Sequence, residues 1–184
     1  MSERKGGLTR LRPLDSPEMA EARQRELRVS RDRAAEFGVS ALEAARNGRY
    51  RTSSGREVDW GERVEAACAA KRSLPPGAAL PAASDRSFEN TEVQVSNETT
   101  LGAARRLFER GLRPLALNFA NGVCPGGGFL AGARAQEEVL CRSSALYLTL
   151  IGDPMYEAHQ ARRLPDSTEW VIYSPDVPVF RTDD

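Results

Sequence analysis

Leu117-Asn118-Phe119-Ala120-Asn121-Gly122-Val123-Cys124-Pro125-Gly126-Gly127-Gly128-Phe129-Leu130-Ala131-Gly132-Ala133-Arg134-Ala135-Gln136-Glu137-Glu138 is the stretch on which the fold reading turns. It continues an apolar run from Pro114 to Ala120, and a near-continuous run of this kind predicts a central strand covered on both faces. Three consecutive glycines follow. They let the backbone approach a ligand closely, and they can turn several N–H groups toward an anion such as a diphosphate. The stretch ends on an acidic pair near the start of a helix predicted from about Arg134 to Leu150. Taken singly, a glycine triplet also fits a tight turn, and acidic residues in a first helical turn also serve the helix dipole.

Working outward, Thr91-Glu92-Val93-Gln94-Val95 reads as a short strand, and Thr99 or Thr100 caps a helix running to Gly111. Trp170-Val171-Ile172-Tyr173 reads as a further strand. Strand, helix, strand, loop, helix and strand in this order imply an α/β sheet with its sites at the strand ends. Toward the N-terminus, a polar, frayed start gives way to a helix entrance at Asp15-Ser16-Pro17-Glu18. Ala34, Phe37, Ala41, Leu42 and Ala45 form an apolar stripe within Arg31 to Arg46, a helix that stops at Asn47-Gly48. Tyr50 to Trp60 reads as a hairpin centred on Ser54-Gly55, and Glu62 to Lys71 as a helix. The Pro, Gly and Ala-rich stretch Leu74 to Ser84 is the best linker candidate. Residues 1–84 are therefore expected to form a helical extension and linker, and 85–184 the site-bearing unit.

The 184 residues suffice for one ordinary domain and an appendage. Lys plus Arg and Asp plus Glu number 26 each, so the protein lacks the general basic field that grips nucleic-acid backbone, and direct DNA binding is not expected. No window approaches the apolar length of a membrane helix. Cys68, Cys124 and Cys141 are widely spaced and odd in number, which argues for a reducing compartment, the cytoplasm. Cys124 reads as a packing residue. His159, the only histidine, lies in the polar segment Tyr156 to Gln160 without paired ligand spacing and reads as a solvated surface residue, which disfavours zinc and a Ser-His triad. No Walker lysine follows the glycines. Neither metal nor cofactor is expected.

The combination of parts resembles a known family. Two adjacent glutamates beside a diphosphate-sized loop, with Asn118 and Asn121 ahead of it, resemble the GGG–spacer–QEE signature of bacterial-type poly(ADP-ribose) glycohydrolases, members of the macrodomain superfamily. Phe129 to Ala135 is the spacer, and the helix before Gly48-Arg49-Tyr50 is similar to theirs. The resemblance implies a macrodomain-like mixed sheet flanked by helices, α/β/α, behind the N-terminal extension. It implies Glu138 as the catalytic glutamate and Glu137 as a glutamate that binds ribose hydroxyls. Asn121 matches a ribose-binding asparagine, and Gly126, Gly127, Gly128 and Phe129 match the loop against the diphosphate. Gln136 joins this substrate-binding set. Asn118 stands where some relatives have aspartate. Glu98, after Val95-Ser96-Asn97, is the candidate acidic residue near the adenine, though Asn97, Glu98 and Thr99 equally suit a turn and cap.

The implied reaction cleaves the bond between one ribose and the next in poly(ADP-ribose), or acts on ADP-ribosylated proteins. Neighbours on a helix point about 100° apart, so Glu137 and Glu138 do not face each other across a bond as paired glycosidase carboxylates do. Glu138 is therefore expected to act alone, as acid and then base. A macrodomain that only binds ADP-ribose, and a hydrolase that removes single ADP-ribose units from proteins, are the alternatives. A macrodomain sheet has more strands than residues 85–184 provide, so the sheet is expected to be incomplete and the sequence truncated at its C-terminal end.

Overall fold

The computed structural model describes residues 7–80, 88–162 and 167–182. Its helices carry the cores. Helix α1 spans Pro17–Glu26, capped by the Ser16 hydroxyl, which accepts from the Met19 N–H. Helix α2 spans Arg31–Asn47, starts on a Ser30 cap and ends at Gly48 in the left-handed region. Its buried stripe is Ala34, Gly38, Ala41 and Ala45, small residues that admit a close neighbour. That neighbour is the 3₁₀ turn Phe129–Ala131. A Cβ added at Gly38 would stand 2.6 Å from the Phe129 carbonyl oxygen, so only glycine permits this approach.

Among the described residues, three two-stranded sheets accompany the helices. Strands β2 (Arg49–Arg51) and β3 (Glu57–Asp59) form the expected hairpin, with Tyr50 opposite Val58. Helix α3 (Gly61–Ala70) leads into β4 (Arg72–Leu74), which pairs antiparallel with β6 (Val171–Tyr173). Strand β5 (Asn90–Val93) pairs in parallel with β1 (Gly7–Arg10), so the start expected to be frayed is a strand from Gly7 onward. All four β1 residues are exposed, and a strand held by main-chain bonds alone has no apolar alternation to read. Helix α4 (Thr100–Glu109) begins on a Thr99 cap. Of the linker candidate, residues 81–84 lie outside the described residues.

Three further expectations fail. Residues 112–121 adopt no strand: among the described residues no segment pairs with them, and Leu115, Leu117 and Phe119 are 83%, 72% and 71% exposed. The long helix is two, α5 (Gln136–Ser143) and α6 (Leu146–Leu150). They part at extended Ser144 because residues 178–181 take over the local backbone groups. Ala145 N–H donates to the Pro178 carbonyl, and the Phe180 and Arg181 N–H groups donate to the Ser143 carbonyl. The segment around His159 is helix α7 (Pro154–Gln160), begun by an Asp153 cap and a first-turn proline.

Among the described residues, two buried clusters pack on and beside α5. One gathers Phe129, Cys141, Leu150, Met155 and Tyr156. The other gathers Ala45, Trp60, Val64 and Ala145, with Tyr50 and Phe180 packed against it. Trp60 lies 5.6 Å from Tyr50 and 4.7 Å from Phe180, aromatic pairs each worth about 0.5–1.5 kcal/mol beyond area burial.

Candidate active site

The first turn of α5 is the assembly point. Its N-cap position is Ala135, whose methyl group cannot cap, and the three residues that follow reach instead to the segments folded over the helix start. Gln136 clamps residues 117–119, donating from Nε2 to the Leu117 carbonyl at 2.8 Å and accepting the Phe119 N–H at 2.9 Å. Its Nε2 also reaches Thr100 Oγ1 at 3.2 Å, at the start of α4. Glu137 Oε2 accepts the Asn121 N–H at 2.8 Å, and its Oε1 accepts from Asn118 Nδ2 at 3.3 Å. Glu138 Oε1 accepts the Gly128 N–H at 3.1 Å. One helical turn thus binds residues 117–119, the asparagine turn and the glycine loop.

The two carboxylates converge even though they leave the helix in different directions. Gly127 lies against both: a Cβ there would collide with Glu138 Oε1 and would stand 3.3 Å from Glu137 Oε2. They are neighbours on one wall, not opposed groups. Burial pushes the Glu137 carboxyl above its ordinary range, against the Asn121, Asn118 and Gly126 hydrogen bonds, and the Glu138 charge adds to the rise. The oxygens differ in engagement. Both Glu137 oxygens are taken, whereas Glu138 Oε2 is buried without a partner. Asn118 Oδ1 and the Tyr156 hydroxyl are also buried and unpartnered.

The expected set is therefore partly rearranged. Asn118, Asn121, Gly126, Gly127, Gly128, Gln136, Glu137 and Glu138 meet in one place. The N–H groups of residues 126–129, expected to face an anion, are turned inward: Gly126 to Glu137, Gly127 to the Cys124 carbonyl, Gly128 to Glu138, and Phe129 to the Gly126 carbonyl. Gly127 and Gly128 remain partly exposed, while Gly126 is buried. The Phe129 ring lies in the core, 4.9 Å from the Tyr147 ring. Glu98 is held by Arg106, whose guanidinium contacts both of its oxygens and, as the largest cause, keeps its carboxyl below the usual range. Cys124 is exposed, not packed.

Sequence reasoning missed α7. His159 is 5% exposed and braces the loop. Its Nδ1 lies 2.8 Å from the Gly122 carbonyl oxygen and its Nε2 2.7 Å from Thr168 Oγ1, while Gln160 Nε2 donates to the Val123 carbonyl at 2.7 Å. Tyr156 was missed as well. Burial, then the Glu137 charge, raises its phenol pKa. Among the described residues no group of three or more His, Cys, Asp or Glu could hold a metal ion. No described helix is long and apolar enough to cross a membrane.

The family model described as the microbial-type PARG catalytic domain, for poly(ADP-ribose) glycohydrolase, matches residues 39–182. The crystal structure of poly(ADP-ribose) glycohydrolase from Thermomonospora curvata is similar at a TM-score of 0.74 and 42% identity. That match covers 82% of this protein and 57% of the other. The structure from the same organism bound to the inhibitor ADP-HPD is similar at 0.71 and 39% identity, covering 82% and 56%. The chain thus spans little more than half the length of these solved relatives, whose mixed α/β, macrodomain-like fold it shares over that span. No protein of curated function matches. With a family match over most of its length and a solved relative at this identity, the chain belongs to the microbial-type PARG catalytic-domain family.

Proposed function

We propose that this site cleaves the ribose–ribose O-glycosidic bond of poly(ADP-ribose) and releases ADP-ribose, with Glu138 as general acid and then general base. The observation that carries the reading is the difference between the carboxylates. Glu137 is engaged at both oxygens, by Asn118 Nδ2 and the Asn121 N–H, and keeps lone pairs for further donors, whereas Glu138 is fixed through one oxygen by Gly128 and has no partner at Oε2. A group held at one atom and free at the other is suited to moving a proton. Protonated at Oε2, Glu138 gives its proton to the leaving hydroxyl oxygen as the C–O bond breaks through an oxocarbenium-like state. Water then adds to the anomeric carbon, and its proton returns to Oε2. The substrate's own diphosphate, lying over the Gly126 to Gly128 surface, stabilises the positive charge.

In the same reading Glu137 and the Asn121 amide hold ribose hydroxyls, Asn118 and Gln136 shape the wall beside them, and Glu98 lies toward the adenine. Residues 1–84 act as an extension that braces a catalytic unit at 85–184. Arg31 Nε donates to the Ala131 carbonyl at 3.0 Å, and Arg134 Nη1 to the Val29 carbonyl at 2.9 Å, across that division. The three free thiols support a cytoplasmic setting.

The test is Glu138→Gln. The amide keeps the carboxylate's shape but cannot give and retrieve a proton, so polymer hydrolysis should be lost while ADP-ribose affinity stays within a few-fold. Retained turnover would exclude Glu138 as the acid. Release from polymer, measured beside release from a mono-modified protein, decides the substrate.

A further inference from the structure

We infer that His159 is a positioning residue that fixes which end of the Asn121 amide faces the substrate. The inference rests on the function proposed above. Two successive peptide groups after Asn121 are each held at both ends. The Gly122–Val123 peptide gives its carbonyl to His159 Nδ1 at 2.8 Å and its N–H to Asn121 Oδ1 at 3.0 Å. The Val123–Cys124 peptide gives its carbonyl to Gln160 Nε2 at 2.7 Å and its N–H to the same Asn121 Oδ1 at 3.0 Å. Two N–H donors on one oxygen settle the orientation of the amide. Oδ1 is committed to the turn, and the exposed side of Asn121 presents Nδ2, a donor suited to a ribose oxygen. The Asn121 N–H meanwhile supports Glu137.

His159 can act as a fixed strut because both ring nitrogens are engaged. A carbonyl only accepts, so Nδ1 carries the hydrogen. Nε2 accepts from the Thr168 hydroxyl at 2.7 Å, with the Thr168 N–H at 3.4 Å, and the same hydroxyl oxygen accepts the Trp170 N–H at 3.3 Å. The ring lies edge-on to Trp170, whose Nε1 donates to Ser73 Oγ at 2.8 Å. Ser73 and Lys71 in turn hold Asp153, the cap of the helix that carries His159. The turn that orients Asn121 is therefore anchored to strand β4, far away in the sequence.

The experiment compares His159→Ala, His159→Asn and His159→Gln in the full-length protein. An asparagine places its amide nitrogen near the position of Nδ1 and can still donate to Gly122. A glutamine places it near Nε2 and cannot. Amide hydrogen exchange at Val123 and Cys124 reads the turn whether or not the protein hydrolyses polymer. We expect exchange there to rise at least tenfold in His159→Ala and His159→Gln and to return toward wild type in His159→Asn, while amides in α2 stay protected. ADP-ribose affinity and KM should weaken several-fold in the same two variants, with kcat changed less than twofold, and asparagine should rescue. Unchanged exchange at Val123 and Cys124 in His159→Ala, or equal rescue by glutamine and asparagine, would overturn the inference. If alanine unfolds the protein, the asparagine–glutamine pair alone decides. Failure of the wild type to bind ADP-ribose would count against the proposed function and leave the exchange result to judge His159.

Discussion

At the scale of single residues, the site depends on how closely the glycine loop lies on two carboxylates. The sequence predicts that Gly127 gives clearance to a diphosphate. In the structure its constraint is internal, since its φ is +55° and a Cβ would strike Glu138. Gly127→Ala should therefore displace the proposed acid before any ligand arrives. We expect it to lower hydrolysis at least tenfold and to cost about 1–2 kcal/mol in stability, the usual penalty for a left-handed L-residue. Urea unfolding together with turnover checks both. A variant as stable and active as wild type would show that the loop does not set the Glu138 position. The residue types at this site were legible from Asn118, Asn121, the glycines and the acidic pair. Their mutual bonding was not, because an N–H that faces a ligand and one that faces a nearby carboxylate arise from the same glycine pattern.

At the scale of elements, α7 had a signal in plain view: Gly152, Asp153 and Pro154 are a helix stop, a cap and a first-turn proline in succession. The polar look of Tyr156 to Gln160 hid it, since Tyr156 and His159 are buried by contacts far away in sequence. The break at Ser144 had no comparable signal. It is imposed by residues 178–181, and local propensity cannot report a distant competitor. Asp153 joins these elements. Its carboxylate is buried, which alone would raise its pKa, but Lys71, the Met155 N–H and Ser73 outweigh burial and hold it below the usual range. A depressed carboxyl stabilises the fold above its unfolded pKa, and that contribution is lost as pH falls through the folded value. Asp153→Ala should cost about 2–4 kcal/mol near neutral pH through the lost cap and the stranded Lys71. The difference from wild type should shrink as the pH falls below the ordinary aspartate range. Thermal unfolding across that range measures it, and a gap that grows in acid would contradict the assignment.

At the scale of the whole molecule, the apolar run Pro114 to Ala120 has the composition of a buried central strand. In the structure it forms no strand, and Leu115, Leu117 and Phe119 are exposed, as are Leu112 and Phe108 before them. Gln136 satisfies the Leu117 carbonyl and the Phe119 N–H from one side only. Exposed apolar side chains on a segment that pairs with no strand among the described residues are the kind of surface that recruits another strand. The 184-residue protein should accordingly self-associate at micromolar concentrations and bind an apolar dye, although its two cores lie elsewhere. Leu115→Lys combined with Leu117→Lys places charge on that surface and leaves both backbone contacts of Gln136 available. The double variant should sediment closer to a monomer, bind less dye, and keep the helical circular dichroism of wild type, since neither side chain belongs to a buried cluster. A wild-type protein that sediments as a dye-silent monomer across the same concentrations would show that the exposed segment is inert, and the adhesive surface inferred from it would have to be abandoned.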